Sequence, residues 1–348
     1  YQEQVFRANY VFAAPDSPTR DESTGGWLSG ESRFVYSGFA FHKLVFGADA
    51  QRDMRISLRN IDSTTGANIL DVRDKTWRTG VFLQDEWVIA SRWRLSAGAR
   101  YDRYSIDLSH ISPRLGLVHT LNDTTTVKLL AGEAYRVPNT FERQYEDGYY
   151  LANPALKPEV IRTVEGIVEL RIRSDQMLGA SLYSYSFRNQ IDQTVVGNNL
   201  RYENLPRTTV QGAELYWRAP RIGNGSLFAS LGFNHAHAES TATVPNSPPW
   251  LAKLRATHPL AGPQWQGAIE LQAIGPRHVE SDSGIFKLSR QWWMNAVVNS
   301  TALGRGTHLQ LRIVNVFDRL VQIPVAEAAA PLMPMSRRAL QAMLTHDF

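Results

Sequence analysis

Trp93-Arg94-Leu95-Ser96-Ala97-Gly98-Ala99-Arg100-Tyr101-Asp102 alternates without a break. In an extended chain Trp93, Leu95, Ala97, Ala99 and Tyr101 share one face, and Arg94, Ser96, Gly98, Arg100 and Asp102 share the other. Aromatic residues end the apolar face, with small or aliphatic ones between them. At ~3.3 Å per residue and a tilt of about 40°, the eight steps from Trp93 to Tyr101 cover about 20 Å, near the height of a lipid-facing band. The same arrangement recurs along the chain. Val164, Gly166, Val168, Leu170 and Ile172 oppose Thr163, Glu165, Glu169 and Arg171. Trp265, Gly267, Ile269, Leu271 and Ala273 oppose Gln264, Gln266, Glu270 and Gln272, and Leu309, Leu311 and Ile313 oppose Gln310 and Arg312. Strands of a soluble sandwich average about five or six residues. These run about twice that, and a wet lumen accounts for the arginines and glutamates opposite. Trp293, Val297 and Asn299 against Trp292, Met294, Ala296 and Val298 is less tidy, and Asp85 beside Glu86 forces a charge onto each face of its strand.

The connections alternate as well. Leu121-Asn122-Asp123, Ser174-Asp175, Ile222 to Gly225, Ala261-Gly262-Pro263 and Gly304-Arg305-Gly306 are short, whereas 137–159, 191–206, 238–249, 275–291 and 317–337 are long. Turns on one side of a membrane and functional loops on the other are the layout of an antiparallel transmembrane β-barrel. The expected fold is all-β, with sixteen strands at 1–12, 31–42, 44–59, 77–90, 92–106, 111–120, 124–136, 160–173, 176–190, 207–219, 225–237, 250–260, 264–274, 291–302, 307–316 and 338–348.

Composition narrows the class. The 348 residues are 43% hydrophobic and include nine Trp and thirteen Tyr, which suits aromatic belts at membrane interfaces. No run approaches the ~18 apolar residues of a transmembrane helix. The absence of cysteine excludes disulfides, thiolate zinc sites and thiol nucleophiles. The net charge of +4 is scattered, with no basic stripe for nucleic acid. No linker divides the chain, so 1–348 is expected to be one domain. The chain opens inside a strand-like segment without a signal peptide, and the expectation is that further N-terminal sequence precedes Tyr1 in the natural protein.

Several motifs, in order, resemble those of TonB-dependent outer-membrane receptors over residues 80–348. They are Phe82-Leu83-Gln84-Asp85-Glu86-Trp87 with Ala97-Gly98-Ala99-Arg100-Tyr101-Asp102, then Ser112-Pro113-Arg114-Leu115-Gly116 and Gly132-Glu133-Ala134-Tyr135-Arg136-Val137-Pro138-Asn139. Asn153-Pro154-Ala155-Leu156-Lys157-Pro158-Glu159, Gly212-Ala213-Glu214 and Asn315-Val316-Phe317-Asp318 follow. The resemblance implies a barrel of about 22 strands around an N-terminal plug. Sixteen strands would be its C-terminal portion, with the plug and first strands missing and the barrel open or poorly closed. It also implies import of a scarce large solute captured from outside, most simply a ferric siderophore, with cobalamin or haem next. The implied partners are that chelate, the TonB complex through the plug, and outer-membrane lipid and lipopolysaccharide. A passive porin or a barrel enzyme is the alternative. No cofactor, metal site or nucleic-acid partner is expected.

Pro138, Pro154 and Pro158 bracket a tyrosine-rich loop, because proline cannot donate to a ladder. Such a loop suits closure over a ligand, and Tyr145, Tyr149 and Tyr150 either stack on an aromatic chelate or pack the loop against itself. Arg136, Arg143 and Arg207 lie near the rim, where they attract an anionic chelate or pair with Glu142, Glu146 or lipid phosphate. His235 and His237 share a face, as ligand contacts or as interfacial or lumen histidines; two histidines without a third ligand make a poor metal site. Catalysis has little support: Ser240 lies three residues after His237, but nothing marks a carboxylate to orient that histidine. The last strand is expected to stay an open edge or to pair near Tyr1.

Overall fold

The computed structural model describes residues 2–13, 16–241, 243–281, 284–325 and 331–347. Tyr1 and Phe348, the ends of the first and last expected strands, lie outside the described residues, as does part of the expected loop 317–337. The first half contains β1 (Gln2–Ala13), β2 (Asp16–Tyr36), β3 (His42–Asp62), β4 (Asn68–Asp74), β5 (Trp77–Ala90), β6 (Trp93–Tyr104), β7 (Leu108–Thr120) and β8 (Thr125–Arg136). Then come α1 (Thr140–Gln144), β9 (Tyr150–Leu151), β10 (Glu159–Arg173), β11 (Gln176–Arg188), β12 (Gln190–Val196), β13 (Asn199–Leu205) and β14 (Thr208–Ile222). The remainder is β15 (Gly225–Ala238), β16 (Trp250–Pro259), β17 (Trp265–Ile274), β18 (Arg277–Ser281), β19 (Gly284–Leu288), β20 (Gln291–Ser300), β21 (Thr307–Val314), β22 (Gln322–Pro324), β23 (Leu332–Pro334) and β24 (Ala339–His346). Seventeen strands belong to one sheet: the sixteen expected plus β4.

The chain divides into two compact units. One comprises Tyr1–Val118, Leu130–Val164 and Tyr185–Thr208; the other comprises His119–Leu129, Glu165–Ser184 and Thr209–Phe348. In the first, β1–β2, β2–β3, β3–β5 and β5–β6 are antiparallel neighbours. In the second, β15, β16, β17, β20, β21 and β24 pair in succession, all antiparallel. Local chemistry explains the tight connections. The Asn122 side chain accepts from the Thr124 and Thr125 amides at 3.0 and 2.9 Å, and Gly223 supplies φ +57°.

Register fixes the faces. Ile269 lies opposite Ala256 and Ala296, Leu271 opposite Leu254 and Met294, and Leu311 opposite Val298 and Ala342, giving one continuous apolar face. Trp292, Met294, Ala296 and Val298 therefore belong to that face, which resolves the untidy strand. On the other face Glu270 lies opposite Arg255 and Asn295, and Arg312 reaches Glu270 at 3.5 Å. In the first unit Val81 and Leu83 pair with Tyr101 and Ala99, while Phe82 pairs with Arg100. The buried apolar residues are few. Ile61, Leu70, Tyr145, Leu156, Ile191, Val279 and Val321 are among them, and they lie in or beside the long loops. The apolar face itself is open, with Val81 at 55%, Ile269 at 42% and Leu311 at 45% exposure. An apolar surface this large is stable where lipid covers it.

Three expectations need correction. The second strand runs from Asp16 to Tyr36, not 31–42, and the turn that follows is 37–41. Its first part, Asp16 to Gly30, is polar and glycine-rich and shows no alternation, yet Thr19 to Trp27 is hydrogen-bonded on both edges, to β1 and β3. The stretch 60–76 contains β4, which extends β3 beyond β5. The long loops carry structure of their own: α1, the β12–β13 hairpin, the β18–β19 hairpin and the β22–β23 pair.

The structure also explains the adjacent Asp85 and Glu86. His42 bonds Asp85 at 2.7 Å and stacks on Trp87, while Lys43 bonds Glu86 at 3.1 Å. Neighbouring residues of β3 thus match both charges, one on each face. Replacing His42 by Leu leaves Asp85 without its partner on the apolar face. The expected loss is about 1–2 kcal/mol in denaturant unfolding from detergent, against less than about 0.5 kcal/mol for Lys43→Leu.

Candidate binding site at the rim of the first unit

The site grows from the end of β8. Pro138 ends the strand, and Asn139 caps α1: its side chain accepts from the Glu142 amide at 2.9 Å, while Glu142 accepts from the Asn139 amide at 2.8 Å. Buried Glu142 then needs a cation. Arg136 supplies it, with Nη1 2.9 Å from both carboxylate oxygens and Nε 2.6 Å from Glu159. Glu159 in turn accepts from the Ile191 amide at 2.6 Å. One guanidinium therefore joins β8, α1, β10 and β12.

The loops 137–158 and 189–207 form one hydrogen-bonded body. Asn204 accepts from the Lys157 amide at 2.8 Å and donates to the Lys157 carbonyl at 2.9 Å, and Asn153 donates to the Tyr202 carbonyl at 2.8 Å. Strand β9 pairs in parallel with β13. Phe141, Tyr145, Tyr150 and Tyr202 cluster at ring separations of 4.4–6.2 Å, in mostly edge-on contacts.

This crown is anchored to the β2–β3 extension. The Tyr145 hydroxyl donates to Asp21 at 3.1 Å, Asn60 donates to Tyr145 at 3.0 Å and to Asp21 at 2.8 Å, and Gln144 donates to Asp74 at 2.9 Å. Burial pushes the Tyr145 hydroxyl well above the usual phenol range, and burial likewise raises the Asp21 carboxyl despite its hydrogen bonds. Both protonated forms are therefore favoured when the crown is docked. For Asp21 the gain is complete below the ordinary carboxylate range and is lost as pH rises through the raised value. Hydrogen exchange at 140–151, corrected for intrinsic rate, should accelerate as pH rises from about 4 towards neutrality. Asp21→Asn should flatten that dependence; an unchanged slope would exclude Asp21 as the titrating group.

Two cavities lie along the polar face beside the crown. One, of about 250 Å³, is lined by Asp53, Trp77, Arg78, Tyr104 and Arg143 among others. The second, of about 560 Å³, shares Arg78 and Tyr104 and continues to Arg100, Asp102, Arg114 and Tyr135. Its wall is charged but internally matched: Arg100 bridges Asp49 and Asp102 at 2.5 Å each, and Glu133 holds both His110 and Arg162. At the rim Arg78 donates to Gln51 at 3.2 Å. Arg143 makes no ion pair among the described residues, and the carboxylate that shares the smaller cavity, Asp53, accepts from Gln51 and Thr76 instead.

The expected site residues thus separate. Arg143 lines the smaller cavity. Tyr149 is exposed and meets half-buried Tyr150 edge-on, whereas Tyr145 is buried in the anchor. Arg136 is committed to two glutamates, and Arg207 donates to Ser186 at 2.8 Å. His235 and His237 are exposed in the second unit, on the face of β15 that carries Phe233. No group of three or more His, Cys, Asp or Glu suited to a metal occurs among the described residues. Sequence reasoning did not single out Asp53, Trp77, Arg78 or Tyr104. Alternation gave their faces, but not which strands rise beside the crown.

Comparison with known proteins agrees with this architecture. The model of a family described as TonB dependent receptor-like, beta-barrel matches residues 1–305. An iron-regulated outer membrane virulence protein of Vibrio cholerae is 26% identical over 220 residues, covering 57% of this chain and 33% of that protein. The ferrienterobactin receptor of Escherichia coli K12 is 25% identical over 157 residues, covering 38% and 21%. The chain therefore spans a third or less of the length of these curated relatives. Among solved structures, the siderophore receptor PirA from Acinetobacter baumannii superposes with a TM-score of 0.76 at 16% identity, covering 97% of this chain and 56% of that one. The copper transporter OprC gives 0.77 at 20% identity, covering 95% and 57%. At such identities the two structures speak for the fold alone.

Proposed function

Because this chain belongs to the TonB-dependent receptor-like β-barrel family, we propose that it forms the barrel wall and rim of a receptor that imports a ferric siderophore, with TonB supplying the energy through a plug domain. It is an outer-membrane protein of a transport family, not an enzyme. The single observation that carries the choice of solute is the rim itself: Arg143 and Arg78 line a small cavity beside Tyr104, with exposed Tyr149 on the same loop as Arg143. Arginine suits the delocalised negative charge of a ferric chelate, and aromatic rings suit its planar arms. Relatives named as siderophore and ferrienterobactin receptors support the same class. Haem is weaker, because the loop 137–159 contains no histidine to serve as an axial ligand.

The experiment is a binding panel on the receptor in detergent, read by quenching of its tryptophan fluorescence. The panel holds a ferric tris-catecholate, a ferric hydroxamate, haem and cobalamin. Saturable quenching by one ferric chelate at micromolar or lower concentration is expected. Tight binding of haem or cobalamin alone would replace the proposed solute. Binding of none, with free passage of sugars into proteoliposomes, would instead favour a passive pore.

A further inference from the structure

The smaller cavity carries charges of both signs, and its wall keeps them from cancelling. Gln51 and Asp53 sit two apart in β3 and share a face. Gln51 lies directly opposite Arg78 across β3 and β5. Its amide oxygen accepts from Arg78 at 3.2 Å, and its amide nitrogen donates to Asp53 at 2.8 Å. The Thr76 hydroxyl donates to the other Asp53 oxygen, and the Asp53 amide donates to the Thr76 carbonyl at 2.8 Å. Both side-chain donors to Asp53 are neutral, and Asp53 makes no ion pair among the described residues. A neutral amide thus stands between a guanidinium and a carboxylate that line the same hollow.

Backbone geometry puts that carboxylate at the mouth of the hollow. Trp27 pairs with Asp53, but the next partners are Gly26 and Arg55, so Met54 is an extra residue in β3. Such a bulge turns the following side chains over, and Asn60 beyond it reaches Asp21 and Tyr145 in the crown. Asp53 is therefore the last side chain of the regular ladder, where α1 brings Arg143 to the same hollow. At about 250 Å³ the cavity is smaller than the ~300–1,000 Å³ of pockets that enclose a whole drug-sized ligand, so it takes one arm of a larger one. An arm that enters strips water from Asp53. A carboxylate left with neutral donors alone is strongly disfavoured unless a cation arrives with the arm. Arg78 and Arg143 attract the anionic iron-binding oxygens of a chelate, whereas Asp53 repels them.

We propose that this cavity selects, among ferric chelates, those that carry a cationic arm, an ammonium or guanidinium, beside their anionic iron-binding oxygens. Asp53 is the counter-charge for that arm, and Gln51 is a positioning residue that holds Asp53 apart from Arg78. The proposal rests on the receptor taking a ferric chelate and narrows that class by charge. Discrimination comes as much from the repulsive carboxylate, which penalises a purely anionic chelate, as from the attraction of the arm.

The test uses the receptor in detergent, read by tryptophan quenching, with two probes: a ferric tris-catecholate bearing one aminopropyl arm, and the same chelate with that amine acetylated. Acetylation removes the charge and leaves the iron centre alone. On the unaltered protein the amine form should bind about tenfold tighter, and the gap should narrow at high salt. In Asp53→Asn, nearly isosteric and uncharged, the gap should close to less than about twofold while the acetylated form binds as well as before or better. A merely structural role for Asp53 would weaken both forms alike and leave the gap. Gln51→Leu should let Arg78 reach Asp53 across the diagonal and shrink the gap at least threefold. Asp71→Asn, on β4 and outside both cavities, should leave it unchanged. Equal binding of the two forms to the unaltered protein, or a gap that survives in Asp53→Asn, would overturn the proposal and leave the ferric-chelate reading standing. Binding of neither form, nor of any other ferric chelate, would overturn both.

Discussion

Alanine at both Arg78 and Arg143 is expected to weaken the ferric chelate by about 100-fold. Each guanidinium makes a charge-assisted contact worth roughly 1.5 kcal/mol at a partly hydrated rim, and 1.4 kcal/mol is a factor of ten. Removing them takes little from the fold. Arg78 donates only to Gln51 at 3.2 Å among the bonds described, and Arg143 has no ion-pair partner among the described residues. The measurement is quenching of tryptophan fluorescence, with Arg207→Ala as the comparison, since Arg207 bonds Ser186 and does not line either cavity. Higher salt should shrink the difference, because part of the attraction is screened. A loss below threefold in the double variant would remove the smaller cavity from the binding site.

Arg136→Ala should act on the crown and not on the sheet. It leaves buried Glu142 and its neighbour Glu159 without the cation they share. For a fully buried pair the penalty would be several kcal/mol; the Arg136 side chain is 44% exposed, so a loss of about 2 kcal/mol is the better expectation. Exchange at 140–151 and 191–205 should then rise roughly 30-fold, while strands β5 and β6 stay protected. Lysine should not restore it, because an ammonium cannot span both carboxylates as the planar fork does. If exchange in the crown is unchanged, the ion network does not hold it. Chelate affinity should fall indirectly, through a looser Tyr149 and Arg143, and by less than in the double variant.

Sequence alone carried the parts of this protein that depend on neighbours one or two residues away. Side chains alternate across a strand whatever the fold, so Arg94, Arg100, Glu270 and Arg312 could be separated from Leu95, Ile269 and Leu311 before any coordinates. Turn residues such as Asn122 and Gly223 act on their own backbone and marked the short connections for the same reason. The ordered motifs gave the family. What sequence could not give was set by partners far along the chain. Thr19 to Trp27 becomes strand because β1 and β3 hydrogen-bond both its edges, not because its own residues prefer it. A single extra residue, Met54, decides which face Arg55 and Asn60 take. Tyr145 and Tyr149 look alike in sequence; one is buried against Asp21, 124 residues away, and the other stays open. Arg136 and Arg143 divide in the same way, one taken up by Glu142 and Glu159, the other left facing a cavity. Local pattern determines which side of the wall a residue is on, and only the packed loops determine whether its charge is already spoken for.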